Sequence, residues 1–330
     1  MGQDAPRTII LGAGPVGLVA ALFAARRGPV TVVLPRGNPA YSTPRIDSIP
    51  VSLLALLVEA GLHPSSINAE TVHDSRLVAW QNADPAVVRG AATVHVERPL
   101  LERSLLALTE RQSRISFASG MRVCDLPSAV CVLDATGRRA VSAKMRFAPR
   151  NPAMCRGFIV RGVFSASQQS FRIAALPAGY AYRIGNQRIM MVGFVQGRKE
   201  WATSALSVDE TLRRFRADWL LAGLPKNWQG EKSRGGVASL QWTSGDGPIR
   251  RVGDAALARD ALASQGVANG ISDGLAAIEE PHSSAPDENG ASAECRLHAR
   301  RLHNLIQDCC WRDSDYWNGY SNFLLNCVYA

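Results

Sequence analysis

Long apolar runs are missing from this chain of 330 residues: none approaches the roughly 20 residues that cross a bilayer, which excludes a helical membrane protein. The seven cysteines (Cys124, Cys131, Cys155, Cys295, Cys309, Cys310 and Cys327) are an odd set with no C-x-x-C pair and no histidine at ligand spacing. A disulfide scaffold is therefore not expected, and no metal ligands are assigned. Met1 to Arg7 is polar and feeds straight into Thr8-Ile9-Ile10-Leu11, too short an apolar stretch for a secretory signal, so a cytoplasmic location is expected. A continuous basic stripe is also missing. The formal charge is +9, but the arginines are scattered, as at Arg26-Arg27, Arg138-Arg139 and Arg300-Arg301. Nucleic-acid binding is not expected, and the charge suits an anionic cofactor or an acidic protein partner. What is present, 46% hydrophobic against 20% charged residues, excludes a mainly disordered chain and builds one large or two modest domains.

The opening reads strand, turn, helix, strand. Thr8 to Leu11 and Val30 to Leu34 are short β-branched runs of buried strands, and Leu18 to Arg27 is an Ala- and Leu-rich helix stopped at Gly28. Such a βαβ unit requires a parallel sheet. Helices are expected over Val51 to Glu59, Pro99 to Arg111, Val208 to Leu221 and Ala293 to Cys309, the last followed by an aromatic tail. Ala129 to Leu133 is a further buried strand. Four short alternating runs in the middle of the chain, Gly157 to Phe164, Phe171 to Ala175, Tyr180 to Ile184 and Ile189 to Val195, predict an antiparallel sheet. Pro281 to Ser292 reads as a polar loop.

Between the first strand and helix stands Gly12-Ala13-Gly14-Pro15-Val16-Gly17. In a G-x-G-x-x-G turn the first glycine makes the bend, the second lets a pyrophosphate approach the backbone, and the third packs helix on strand. The helix N-terminus supplies free N–H groups to the phosphates, and Pro15 fits a first-turn position where its missing N–H costs nothing. The acidic residue that ordinarily closes the second strand is absent: Leu34 runs into Pro35-Arg36. Arg36 suits a 2′-phosphate, which would favour NADP, but a second segment favours FAD. There Val252-Gly253-Asp254-Ala255-Ala256 reads as a strand end aiming Asp254 at a ribityl hydroxyl. Asp260 follows, and Ser264, Gln265, Gly266 and Val267 begin a helix with donors for the flavin ring.

With these residues in place, the chain resembles the FAD-dependent aromatic hydroxylase and halogenase superfamily, the p-hydroxybenzoate hydroxylase fold, over almost its whole length. The resemblance is carried by Gly12 to Gly17, Arg45-Ile46-Asp47-Ser48-Ile49-Pro50, Val96-Glu97-Arg98-Pro99-Leu100-Leu101, Val132 to Arg138, and Gly253 to Gly266. It implies FAD as cofactor, with Arg45 and Arg98 near the flavin. Arg45 to Leu62, Gln241-Trp242, Gly253 to Asp273 and Cys310 to Trp317 are similar to one branch, the flavoproteins that modify a partner protein's tryptophan during cysteine tryptophylquinone biogenesis.

The implied fold is α/β: a Rossmann-like FAD-binding domain (1–74, 96–147 and 240–280) with an inserted antiparallel substrate sheet (75–95 and 148–239). A loop and C-terminal helical segment (281–330) complete it. The implied function is an FAD-dependent oxidoreductase, a monooxygenase acting on an indole or tryptophan, with a quinoprotein precursor as partner. The alternatives are hydroxylation or dehydrogenation of a free small aromatic metabolite, or a flavin-binding assembly chaperone without turnover. The W-x-W-x-I-P motif and relaying lysine of tryptophan halogenases are absent. Asp134-Ala135-Thr136-Gly137 departs from the Asp-Gly pair of hydroxylases that bind NADPH directly, leaving the electron source, a reductase or NAD(P)H, open. Ala261 stands where a proline commonly follows the aspartate. His63, Trp242 and Tyr182 are the nominal catalytic candidates, with His73, His95 and Tyr180 behind them. For each, packing or surface roles compete. Trp311, Tyr316 and Trp317 read either as a cap on the domain interface or as a staple for the last helix.

Overall fold

The computed structural model describes residues 7–35, 44–82, 84–120, 123–126, 131–149, 152–165, 170–197, 208–225, 228, 230–244, 248–263, 266–280 and 288–329. Strands β1 (Thr8–Leu11), β2 (Val30–Leu34), β6 (Ile115–Ser119), β7 (Cys131–Asp134) and β15 (Ile249–Arg251) form a five-stranded sheet in the order β15-β7-β1-β2-β6. Every pairing in it is parallel. Its inner strands are covered on both faces, which is why β1 and β2 are mainly apolar, β-branched runs, interrupted in β2 only by the buried Thr31. Helix α1 (Pro15–Ala24) joins β1 to β2. Helices α2 (Val51–Glu59) and α3 (Arg98–Glu110) pack with it around a core containing Leu18, Leu57, Leu101 and Leu105. Helix α1 starts three residues before the expected Leu18, because Gly14 is extended and Pro15 occupies the first turn.

A second sheet has eight strands: β3 (Ile46–Pro50), β4 (Val72–Ala79), β5 (Ala86–Glu97), β9 (Ala153–Arg161), β10 (Phe171–Leu176), β11 (Gly179–Gly185), β12 (Ile189–Gly197) and β13 (Glu231–Val237). Their order is β13-β9-β12-β11-β10-β4-β5-β3. Pairing is antiparallel throughout except between β4 and β10. The sheet thus draws in β3 and the first three residues of β4, Val72 to Asp74, from a stretch assigned on sequence to the nucleotide-binding part. Alternation along β11 puts Tyr180, Tyr182 and Ile184 on one face, and Ala181 and Arg183 on the other.

That other face is covered by α4 (Val208–Arg214) and a 3-10 turn at Asp218–Leu221, whose Leu212 and Leu220 pack on Ala181, Val192 and Phe194. The single helix expected over Val208 to Leu221 is therefore broken. The chain turns at Arg216 (φ 55°), and Ala217 N–H bonds back to Leu212 O at 2.8 Å, which lets both leucines reach the sheet. A small antiparallel sheet, β16-β14-β8, joins β8 (Met145–Phe147), β14 (Gln241–Ser244) and β16 (Leu257–Ala258).

Helix α5 (Gly266–Glu279) lies against α1. Helix α6 (Glu288–Gln307) begins inside the stretch expected to be a loop, and residues 281–287 of that stretch lie outside the described residues. The aromatic tail is itself a helix, α7 (Asp315–Tyr329). Trp317 is 1% exposed and donates from Nε1 to Leu176 O at 2.7 Å, meeting Trp80 edge-on at 5.5 Å between ring centroids. The tail is thus part of the core that closes the end of the second sheet, with Tyr316 in it and Trp311 packed against it. Among the described residues no helix is long and apolar enough to cross a membrane.

Candidate functional site: a cleft between two glycine turns

The three glycines of the first turn are held for different reasons. Gly12 has φ +103°, and a Cβ there would stand 2.7 Å from Ala135 O. At Gly17 a Cβ would stand 2.1 Å from Gly12 O, so this glycine lets α1 press onto β1. Gly14 is ordinary extended backbone (φ −78°, ψ 174°), and a Cβ there would meet nothing within 4 Å. It faces open cleft. Neighbouring β7 ends in a buried carboxylate that organises the next loop. Asp134 Oδ1 accepts from Thr136 N (3.0 Å) and Thr136 Oγ1 (2.5 Å), and Oδ2 accepts from Ser142 N (2.8 Å) and Ser142 Oγ (2.7 Å).

The second glycine turn meets the first. A Cβ on Gly270 of α5 would stand 2.7 Å from Val16 Cγ2, and one on Gly253 (φ +58°) 3.0 Å from Gly270 Cα. This close crossing brings the N-terminal ends of α1 and α5 to one cleft of about 1360 Å³. Gly12, Gly14, Pro15, Val16, Gly266 and Val267 line it, as do Asp254, Arg45 and Arg98. Gly17 does not, being spent on packing. Arg36, Ser264 and Gln265 lie outside the described residues.

On the β3–α3 side a chain of charges crosses the cleft wall. Arg98 donates from Nε to Glu102 Oε1 (2.6 Å) and from Nη1 to Asp47 Oδ2 (2.9 Å), while Arg45 Nε stands 3.5 Å from Asp47 Oδ1. Burial alone would push the Asp47 carboxyl up, but the two guanidinium groups hold it below the usual range. Burial likewise opposes charge on Arg98, and Asp47 and Glu102 more than restore it. Across the cleft, Arg138 Nε stands 3.8 Å from Asp254 Oδ2 and anchors its own loop through Nη1 to Ser239 O at 2.7 Å.

The far end of the cleft is apolar and formed by the eight-stranded sheet: Phe171, Ile173, Ile184 and Met191, with Tyr180 and Tyr182. Tyr182 lies over Gly193, where a Cβ would meet its ring at 2.2 Å, and its hydroxyl is 3.3 Å from Cys155 Sγ. Burial pushes both phenols and the Cys155 thiol up, so all three are neutral near pH 7. Asp260, 4% exposed, borders the same end. Its Oδ2 accepts from Tyr320 Oη (2.5 Å) of α7 and its Oδ1 from Leu262 N (2.8 Å); burial raises its carboxyl above the usual range.

Two nominal catalytic candidates stand elsewhere. His63 is exposed and caps a 3-10 turn, its Nδ1 2.8 Å from Ser65 Oγ. Trp242 stacks on Phe147 at 4.8 Å in the small sheet. Neither lines the cleft, because a polar residue in a surface turn and an aromatic on a strand were satisfied by local partners. His73 and His95 stack on each other at 4.2 Å behind Phe171, and burial drives His95 to a pKa of about 3, so it stays neutral. Tyr182 and Tyr180 do line the cleft. Sequence reasoning missed Cys155, Glu102, Arg259 and Tyr320 as neighbours of the site. Only Asp260 carried a signal, its place shortly after Gly253-Asp254.

A cofactor test follows from Gly14. An extended dinucleotide needs a bare backbone beside a helix N-terminus, and Gly14 leaves open the space a side chain would take. On the same cleft lining the buried Arg45 Nε is ion-paired with Asp47 but makes no hydrogen bond.

Known proteins agree. Residues 6–146 match the family model "FAD binding domain". No curated protein sequence matches the chain. Among solved structures, the chain is similar to QhpG, a peptidyl tryptophan dihydroxylase essential for tryptophylquinone cofactor biogenesis. The two are 19% identical with a TM-score of 0.67, covering 96% of this chain and 78% of that one. It is also similar to the myxobacterial chondrochloren halogenase CndH, FAD-dependent, at 17% identity and TM-score 0.70, over 96% of this chain and 86% of that one. A "probable FAD-dependent monooxygenase", pqsL of Pseudomonas aeruginosa, is 14% identical with TM-score 0.65, over 96% of this chain and 99% of that one. Residues 6–146 match an FAD binding domain, and the chain has the fold of the flavin hydroxylases and halogenases.

Proposed function

We propose that the enzyme is a monooxygenase that hydroxylates an indole, with a tryptophan side chain of a partner protein as its substrate during the maturation of a quinone cofactor. The observation that carries this reading is the single cleft running from the Gly12–Val16 cradle to an apolar, tyrosine-walled end of ring-accepting chemistry. The likeness to a peptidyl tryptophan dihydroxylase supports it. Halogenation is disfavoured, since neither Lys144 nor Lys232, the lysines among the described residues, lines the cleft.

When bound, FAD supplies the reduction of O2 and the transfer of one oxygen atom to an electron-rich ring. The chain's residues bind and orient. Backbone N–H groups at the starts of α1 and α5 would hold the pyrophosphate, Asp254 would hold a ribityl hydroxyl, and Arg45, paired with Asp47 and tied through its carbonyl to Arg98 N–H, would serve the flavin region. Tyr182, Ile173 and Met191 hold the substrate ring and exclude water. Asp260, with its raised pKa and its Tyr320 partner, is placed to hold or pass a proton at the substrate end. In this reading the five-stranded sheet with α1, α3 and α5 is the cofactor half, and the eight-stranded sheet is the substrate half.

The test is a single turnover. Holoprotein reduced without oxygen is mixed with heavy-isotope O2 and either a tryptophan-bearing peptide or free aromatic metabolites. Label appearing in the peptide's indole supports the reading; label only in a free metabolite, or chlorinated product when halide is present, overturns it.

A further inference from the structure

Burial of a phenol hydroxyl without a partner costs about 1–3 kcal/mol, so such groups are rare in folded proteins. Two tyrosines stand side by side on the cleft face of β11, their rings 6.4 Å apart and tilted by 42°. The Tyr182 hydroxyl is committed to Cys155. That of Tyr180 is not. The residue is 4% exposed and lines the cleft, and its Oη has no hydrogen-bond partner among the described residues. Its strand neighbours, Ala175 on β10 and Val195 on β12, offer no side-chain polar atom. The nearby Asp260 and Tyr320 are already paired. Asp260 receives Tyr320 and Leu262 N, and Tyr320 in turn receives Leu240 N. The apolar end of the cleft thus contains a buried hydroxyl with no partner among the described residues; Ser48 Oγ and Arg259 Nη1, also of cleft-lining residues, share that lack.

We propose that Tyr180 is a substrate-positioning residue whose hydroxyl accepts a hydrogen bond from the ring N–H of an indole held against Tyr182. This rests on the indole reading given above and adds the contact that fixes the ring's orientation. A flat bicyclic ring with one edge donor matches a site with two aromatic walls and one acceptor. A ring lacking that donor would leave the hydroxyl as unpaired as it is now.

The experiment uses FAD-loaded protein, wild type and Tyr180→Phe, with N-acetyltryptophanamide and its 1-methylindole analogue as probes. Binding is read from the perturbation of the flavin visible spectrum. The expected result is about tenfold weaker binding of the N–H probe by Y180F, the size of one neutral hydrogen bond. The 1-methyl probe is bound equally by both proteins, and the melting temperature of Y180F is no lower than wild type, since no protein contact is lost. Three results overturn the proposal: equal affinity of both proteins for the N–H probe, equal weakening for both probes, or a fall in melting temperature. Wild-type protein that retains FAD but binds neither probe overturns the indole reading itself, and Tyr180's role with it.

Discussion

Replacing Gly14 by valine separates cofactor recognition from folding. The backbone there is extended, so a β-branched residue adopts it without strain, and the added Cβ meets no protein atom within 4 Å. The cost to the empty fold is confined to a poorer helix N-cap, at most about 1 kcal/mol, or a melting shift of no more than about 4 °C. The isopropyl group instead occupies the space the pyrophosphate needs, displacing it from the α1 N–H groups. Losing two charge-assisted hydrogen bonds at about 1.5–3 kcal/mol each weakens FAD by about a hundredfold to ten-thousandfold. Gly12→Ala and Gly17→Ala are the contrasting controls. Their Cβ atoms would meet Ala135 O at 2.7 Å and Gly12 O at 2.1 Å, so they lower the stability of the empty protein as well. The assay is flavin titration followed by absorbance, with thermal melts of cofactor-free protein alongside. G14V that binds FAD with wild-type affinity, or whose empty form melts like G12A, refutes the assigned cradle.

Asp254→Ala is expected to weaken FAD about tenfold to a hundredfold, one charge-assisted hydrogen bond, with little change in the melting of the empty protein; unchanged affinity by titration makes Asp254 only a turn residue. Tyr320→Phe strips Asp260 Oδ2 and Leu240 N of a shared partner, and about 2–4 kcal/mol of stability is expected to disappear in chemical denaturation. A loss under half a kcal/mol would show that water replaces the hydroxyl. Lowering pH from about 6.5 should destabilise the fold. The unfolded His95 imidazole takes up a proton there, whereas the buried one resists until about 3, so the native state falls behind in proton uptake. The loss reaches on the order of 2 kcal/mol by pH 5 and is absent above pH 7. His95→Gln should reduce that slope, with half-buried His298, lowered to about 4, and His73, also lowered by burial, supplying the remainder; an unaltered slope would show that His95 does not contribute.

The dinucleotide half was legible in the chain because its signals are local. The strand β1, the glycine turn, the strand β2 and helix α2 obey steric and periodic rules that act within a few residues of each other. The antiparallel strands β10, β11 and β12 were readable for the same reason, their alternation being written along each strand. Other features needed distant partners. The aromatic tail gave no helical stripe strong enough to declare α7, whose burial depends on Trp80 and Leu176, more than a hundred residues away in sequence. The break at Arg216 exists only because Leu212 and Leu220 must reach one sheet face together. His63 and Trp242 were plausible by residue type, and only their surroundings set them apart from Tyr182.

By itself the sequence determined that two glycine-bearing turns would each start a helix, since backbone sterics and helix-end N–H groups belong to the local chain. Tertiary structure alone decided that both helices open on one cleft, through the Gly270–Val16 crossing. It also decided that Asp260, Tyr320 and the unpartnered Tyr180 hydroxyl would gather at its far end. Those residues come from three separate stretches of chain, and proximity of that kind is created by packing, which no window of sequence contains.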